Sequence, residues 1–334
     1  MGIYGNSCKR SLKIMMQYLV ILLDDTSASY CHCDPPDTKG GRACDLREAN
    51  PHTGRRLISF EDLKAGILYA MKENLMIQFV YPDYELPQEY LEVIDTIDHH
   101  DIVPWPGKGN VVVIENSKLK TESLVGLVVV LRCKKEELFV CGDSVATMLR
   151  QVKRLNVVIT DLETFTDEDL KRYDALLDQW IAVLKEEYRK GRAPQFNLLT
   201  DRMMLTKPNH CNAGVESITL APNGKFYLCP AFYYDNPDDS IDPLHIRNQQ
   251  LLRLDHAPLC RHCDAWQCRR CVWLNRKTTR EVNTPSHEQC VVSHIERNAS
   301  RRLLSALREA GEFMPGTEIP KIKYLDPFEV HKEF

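Results

Sequence analysis

The stretch SITLAPNGKFYLCP, residues 217–230, reads as a β-hairpin. Ser217 to Leu220 and Lys225 to Leu228 are strand-like runs, and Pro222-Asn223-Gly224 between them is turn chemistry. The hairpin stands where the chain changes character. What lies on each side of it sets the fold class.

Upstream, apolar runs alternate with helical patterns. YLVILL (18–23) reads as a buried first strand. Residues 59–74 form a helix pattern with Ser59 as N-cap and Leu63, Ile67, Leu68 and Met71 on one apolar face. LMIQFVY (75–81) precedes a helix expected from Pro87 to Ile97, NVVVIE (110–115) and LVVVLR (127–132) continue the series, and Val145 to Val152 reads as a short helix. LNVVITD (155–161) leads to a long amphipathic helix that Thr166 begins and Gly191 ends, and FNLLT (196–200) is one more strand. This alternation predicts an α/β domain with a mainly parallel sheet, either open or a partial barrel.

In both architectures the working face lies at the strand C-terminal ends. Those ends carry Asp24, Asp25, Thr26, Ser27, Tyr81, Asp83, Glu115, Asp161, Glu163 and Asp201. Asp24 and Asp25 are the foremost functional candidates, although each residue also has an ordinary reading as cap or surface.

Thirteen cysteines in 334 residues is a high count. Lys9, Arg10 and Lys13 ahead of the apolar run 14–23 resemble a secretory signal, but Asp24, Asp25 and Thr26 stand where a small-residue cleavage site belongs. The run is also too short to span a bilayer. Met15 and Met16 offer alternative starts, so the natural first residue is left open. Without export the thiols stay reduced, and clustered cysteines point to metal rather than disulfides. The composition, 43% apolar and 27% charged with a net charge of -4, allows a large core and two domains, divided near 207 to 211.

Downstream of that division, Cys211 and Cys229 flank the hairpin, Cys260, Cys263, Cys268 and Cys271 form a knot, and Cys290 follows. The pairs Cys260/Cys263 and Cys268/Cys271 have the two-residue spacing that aims successive thiolates at one centre. Spacing alone leaves zinc and iron–sulfur open; for zinc, a histidine such as His262, His287 or His294 would complete a ligand set. Residues 244–310 hold twelve Lys or Arg against six Asp or Glu. Because these track the cysteines, Arg261, Arg269 and Arg270 are read as offsetting the negative charge of a thiolate-bound centre, not as a nucleic-acid patch stacked with Trp266 and Trp273. Trp266 is expected to shield the metal from water, and 296–311 to close the domain as an amphipathic helix.

This seven-cysteine order resembles the SPASM domain, which follows the radical SAM core in peptide-maturing enzymes. YLVILLDDTS (18–27), MKENLMIQFVYPDYELPQEY (71–90) and APNGKFYLCPAFYY (221–234) are similar to the CXXX repeat peptide maturase group. The resemblance implies an α/β fold: a partial (β/α) barrel-like, degenerate radical SAM-type domain at 1–207, a small cysteine-rich SPASM domain at 208–310 and a tail at 311–334. It implies two auxiliary [4Fe-4S] clusters, the first held by Cys211, Cys229 and Cys271, the second by Cys260, Cys263, Cys268 and Cys290. It also implies a protein acting on a ribosomally made precursor peptide with cysteine repeats, with other proteins of the same system as partners; the absence of a cleavage site, the short apolar run and the placement of the basic residues lead to the expectation of a cytoplasmic protein with neither nucleic acid nor membrane as partner.

Three departures stand out. The first set lacks a fourth cysteine, leaving His210, a water or the substrate peptide to complete it. The knot's last two gaps are four and two residues where the family has five and three. The CxxxCxxC motif that binds S-adenosylmethionine is replaced by Cys31, Cys33 and Cys44 at other spacings, and the Gly-Gly-Glu segment after the second strand by FVYPDYELP (79–87). S-adenosylmethionine therefore has no recognisable site, and no catalytic residue is assigned. A non-catalytic peptide-binding partner with structural clusters and a zinc-stabilised interaction protein are the alternative readings.

Overall fold

A computed structural model describes residues 16–34, 56–115, 124–203, 210–266, 268 and 271–312. Strands β1 (Tyr18–Leu22), β2 (Met76–Val80), β3 (His99–Pro104), β4 (Val111–Glu115), β5 (Val128–Cys133), β6 (Arg154–Ile159) and β7 (Gln195–Phe196) are laid side by side in chain order, all parallel. A doubly wound sheet reverses direction at a switch point. This one advances by one neighbour at every step, as a partial barrel does. Helices α1 (Phe60–Glu73), α2 (Gln88–Ile94), α3 (Lys135–Val140), α4 (Gly142–Leu149), α5 (Asp167–Arg189) and α6 (Thr200–Met203) stand between or after the strands in chain order.

The hairpin completes the same sheet on its other side. β8 (Ser217–Leu220) pairs in parallel with β1, Tyr18 facing Ser217 and Ile21 facing Leu220, and β9 (Phe226–Tyr227) returns antiparallel. Gly224 takes the turn at a φ of 74°, a conformation that L side chains disfavour. One sheet thus holds strands from both sides of the division near 207.

Both faces of β1 are buried. Leu19, Ile21 and Leu23 enter a core shared with Leu63, Ile67, Ile77, Phe79, Ile218 and Leu220, whereas Val20 and Leu22 face the larger core on the other side. Burial on both faces is why YLVILL is a continuous apolar run rather than an alternating one.

Ser59 caps α1 as expected, its hydroxyl accepting from the Asp62 amide at 3.0 Å. The buried face of α1 differs from expectation. It consists of Leu63, Gly66, Ile67 and Ala70, while Leu68 and Met71 are 65% and 63% exposed. The cause is close approach: a Cβ on Gly66 would stand 2.3 Å from Leu220 Cδ2, so the helix meets β8 on its smallest residue and turns Leu68 and Met71 outward.

Thr166 and Asp169 form a capping box at the start of α5, and Lys135 Nζ donates to Asp169 at 2.7 Å, holding that carboxylate down at a pKa of about 2. Past the hairpin come α7 (Pro230–Asp235), α8 (Val272–Thr279) and α9 (His287–Glu309). The closing helix is longer than its sequence pattern, and it lies along α5. Tyr173 donates to Glu296 at 2.7 Å in the buried interior, and Arg302 spans Asp174 and Asp178 at 2.7 and 2.9 Å. Two packings therefore bind the cysteine-rich region to the barrel: β8 on β1, and α9 on α5.

The α1–β8 contact has a direct test. Gly66→Leu, which forces a branched side chain against Leu220, is expected to destabilise the protein by about 1–3 kcal/mol in urea unfolding. An unchanged midpoint would show that α1 does not pack on the hairpin strand.

Candidate metal centre

The polar loop ends of the barrel carry structural duties. Asp24 is fully buried and its carboxylate accepts from the Thr26 amide at 2.7 Å and from Tyr84 Oη at 2.7 Å. Asp25 accepts from Tyr233 Oη, and burial raises its pKa against the lowering effect of that bond. Ser27 donates to the Val80 carbonyl at 2.8 Å and Tyr234 donates to the Ser27 carbonyl at 3.2 Å. Glu115 pairs with Arg132, Asp161 accepts from the Lys135 amide at 2.8 Å, Glu163 pairs with Lys277 at 3.0 Å, and Asp201 pairs with Arg154. Tyr81 and Asp83 border an open cleft with Asp101 and Trp105.

The cysteines, in contrast, converge on cavities. Cys260, Cys263, Cys268 and Cys290 line one small cavity together with His210 and His294. Local structure sets each of them. Cys260 opens a 3-10 turn over 260–262 and Cys263 ends it; Cys290 sits in the first turns of α9, which Ser286 and Gln289 cap reciprocally. Cys263 Sγ lies 3.4 Å from His294 Nε2 and accepts from the Ala265 amide at 3.4 Å, and Cys268 Sγ lies 3.1 Å from His210 Nδ1.

A second cavity of about 340 Å³ is lined by Cys211, Cys229 and Cys271, and also by Cys31 from the loop after β1. Cys229 and Cys271 stand at the N-caps of α7 and α8, and the Cys271 sulfur accepts from the Leu274 amide at 3.5 Å. Val20 and Thr219, on β1 and β8, supply part of the wall. Thr219 Oγ1 and Trp273 Nε1, in residues of this wall, are buried polar atoms without a hydrogen-bond partner among the described residues.

The thiols around this cavity share one electrostatic field. Burial, then the neighbouring thiols Cys33, Cys211, Cys229 and Cys271, push Cys31 far above the ordinary thiol range. Burial, then Cys271 and Cys211, do the same to Cys229, and burial followed by Cys211 pushes Cys271 up to about 12. Such a group stays protonated unless a cation replaces the protons, which is what a bound metal centre does.

Among the described residues no group of three or more His, Cys, Asp or Glu side chains converges on a single ion. The donors are instead spread around two cavities. The donor chemistry fits iron–sulfur clusters: four cysteines around each cavity, backbone N–H groups directed at sulfur, and unpartnered buried polar atoms in the wall of one.

Of the three arginines expected to offset the charge of a thiolate-bound centre, the structure describes one. Arg261 is exposed, and Arg269 and Arg270 lie outside the described residues, as do Cys44 and Gly40-Gly41. Buried cations near the knot are Arg202 and Arg297. Arg202 is 4% exposed, 4.0 Å from Glu296 and within the field of Cys268, while Arg297 is 3% exposed and pairs with Asp264. Nothing in the local sequence marks Arg202, since it sits on the four-residue helix α6 ahead of the cysteine-rich region. His210 contacts Cys268 while lining both cavities. Trp273 lines the second cavity, and Trp266 is buried within the knot.

No family model matches the sequence, and no curated protein matches it. Solved structures do. The structure of hexahistidine-tagged anSMEcpe with bound AdoMet matches at a TM-score of 0.54 and 11% identity, covering 90% of this chain and 97% of that one. Native anSMEcpe with bound AdoMet and Cp18Cys peptide matches at 0.53 and 13%, covering 88% and 99%; the form with Kp18Cys peptide matches at 0.53 and 13%, covering 87% and 99%. At these identities the likeness concerns the fold alone, a partial (β/α) barrel with a mainly parallel sheet.

Removal of one knot ligand tests the small cavity. Cys263→Ala is expected to lose the metal of that site and to lower the thermal midpoint, because metal binding and folding are coupled. A variant with full metal content and an unchanged midpoint would show that Cys263 is not a ligand.

Proposed function

We propose that this protein works in the cytoplasmic maturation of a ribosomally synthesised peptide with cysteine repeats, using two auxiliary [4Fe-4S] clusters. Residues 208–310 are the cluster-bearing part. Cys260, Cys263, Cys268 and Cys290 hold one cluster, and Cys211, Cys229 and Cys271 belong to the other. The observation that carries this reading is the gathering of the two sequence-expected cysteine sets around two separate cavities. The fold likeness adds support, because the similar structures were obtained with AdoMet and with the Cp18Cys and Kp18Cys peptides.

When bound, a four-iron cluster would supply a one-electron reservoir. The chain's own contribution is to exclude water with Trp273 and the buried strand faces, to direct N–H groups at the sulfurs, and to keep Arg202 and Arg297 near the knot. The missing CxxxCxxC spacing favours a second reading, in which the protein binds and presents the peptide while a partner of the same system carries out the bond chemistry.

Peptide binding and S-adenosylmethionine turnover separate these readings from a purely structural role. Anaerobically prepared protein is expected to bind a synthetic cysteine-repeat peptide at least about tenfold more tightly than its all-serine counterpart, a difference of about 1.4 kcal/mol. Equal affinity for both peptides would contradict the proposal. Under strong reductant, release of 5′-deoxyadenosine from S-adenosylmethionine would identify a catalytic radical enzyme, whereas none is expected on the presenting reading.

A further inference from the structure

We propose that Cys31, from the loop after β1, is the fourth thiolate of the first cluster, alongside Cys211, Cys229 and Cys271. The assignment rests on the reading of residues 208–310 as cluster-bearing and gives that reading the ligand its sequence lacks. All four cysteines line one cavity, although Cys31 precedes Cys211 by 180 positions. The parallel pairing of β8 with β1, with β9 returning antiparallel, sets Cys211 and Cys229 toward the end of the sheet where β1 begins, and the loop that leaves β1 returns to the cavity that Tyr18, Val20, Ser217 and Thr219 line, where Cys31 joins them.

The loop is held in place by its backbone. Arg132 on β5 is buried at 2% exposure and donates from Nε to the Cys31 carbonyl at 2.9 Å and from Nη2 to the Cys33 carbonyl at 2.8 Å. The same guanidinium pairs with Asp34 at 2.6 Å and with Glu115. His32 Nδ1 lies 2.9 Å from the Ile159 carbonyl on β6. These contacts fix the main chain across three strands and leave Cys31 in the cavity wall.

Cys33, two residues on, is a built-in contrast. It is 2% exposed, its sulfur lies 3.7 Å from Ser29 Oγ in the core, and it is not part of the cavity wall. His210, one of the other candidates for the fourth position, also lines this cavity but is in contact with Cys268 of the second set. Ligation is an acid–base exchange: each thiol releases its proton as sulfur binds iron, and no oxidation state changes.

A consequence concerns the loop itself. In the resembled family the segment after the first strand carries the S-adenosylmethionine-binding cluster. Here its first cysteine serves the cysteine-rich region instead, and the cluster becomes a cross-link between the barrel loop and the hairpin.

The test compares full-length wild type with Cys31→Ala, Cys31→Ser, Cys33→Ala and Cys211→Ala, all purified anaerobically and reconstituted, by iron and sulfide analysis, Mössbauer spectroscopy and electron paramagnetic resonance. Wild type is expected to hold about eight irons per chain. Cys31→Ala should lose about one to four irons, with either a three-iron signal in the oxidised state or complete loss of one cluster, and should match Cys211→Ala. Cys33→Ala should keep the wild-type iron content and spectrum.

If the alanine variant does not fold, Cys31→Ser is expected to keep the fold while shifting the spectrum of one cluster only. Independently, alkylation of wild type should modify Cys31 only after the clusters are removed. A wild type with about eight irons whose Cys31 variants retain all of them with an unchanged spectrum overturns the assignment alone. A wild type without iron and sulfide overturns the cluster reading and the assignment together.

Discussion

The parallel pairing of β8 with β1 is the contact on which the rest of the structure depends. It joins residues some 200 positions apart, extends the sheet past β1, and sets the flanking cysteines at the end of the sheet where β1 begins, around a cavity that the loop after β1 returns to line. Without it, β1 would be an edge strand with an open ladder, and the cysteine-rich region would lose its sheet attachment to the barrel and rely on α9. Its energetic basis is ordinary burial: Ile218 and Leu220 enter the same core as Leu19, Ile21, Leu63 and Ile67. The site's chemistry is thus a by-product of where an apolar strand finds its neighbour.

Burial then determines what the thiols do. Around the larger cavity they cannot ionise in a low-dielectric wall without a compensating cation, and each additional thiol makes the next harder to deprotonate. Metal-bound sulfur relieves this, and the N–H groups of Ala265 and Leu274 already point at sulfur. Around the knot, Arg202 and Arg297 lie inside the protein, with Glu296 and Asp264 as their carboxylates. Each of these cations thus has a carboxylate partner that offsets the cost of its burial, and Arg202 also lies within the field of Cys268.

Much of this is legible in the sequence. Ser59 and Thr166 as caps, the hairpin with its Gly224 turn and the strand–helix alternation follow from local pattern, whereas the grouping of Cys260, Cys263, Cys268 and Cys290 is what the family resemblance implies and spacing alone does not give. What local pattern does not reveal depends on tertiary contact. β3 is hidden because His99, His100 and Asp101 interrupt its apolar character. The α1 face departs from its pattern because hydrophobicity does not reveal that a glycine can be the point of closest approach. Arg261 sits among the cysteines in sequence yet is exposed, whereas Arg202, remote in sequence, is a buried cation beside them. Cys31 reads as a loop thiol without a motif; only the folded cavity shows that it shares a wall with Cys211, Cys229 and Cys271.

The most direct measurement is anomalous diffraction at the iron and zinc edges from anaerobically grown crystals of the full-length protein. The account predicts two separate iron centres, one enclosed by Cys260, Cys263, Cys268 and Cys290, the other by Cys211, Cys229, Cys271 and Cys31. Zinc at these positions, or an iron centre at the second cavity with Cys31 turned away from it, would contradict the account.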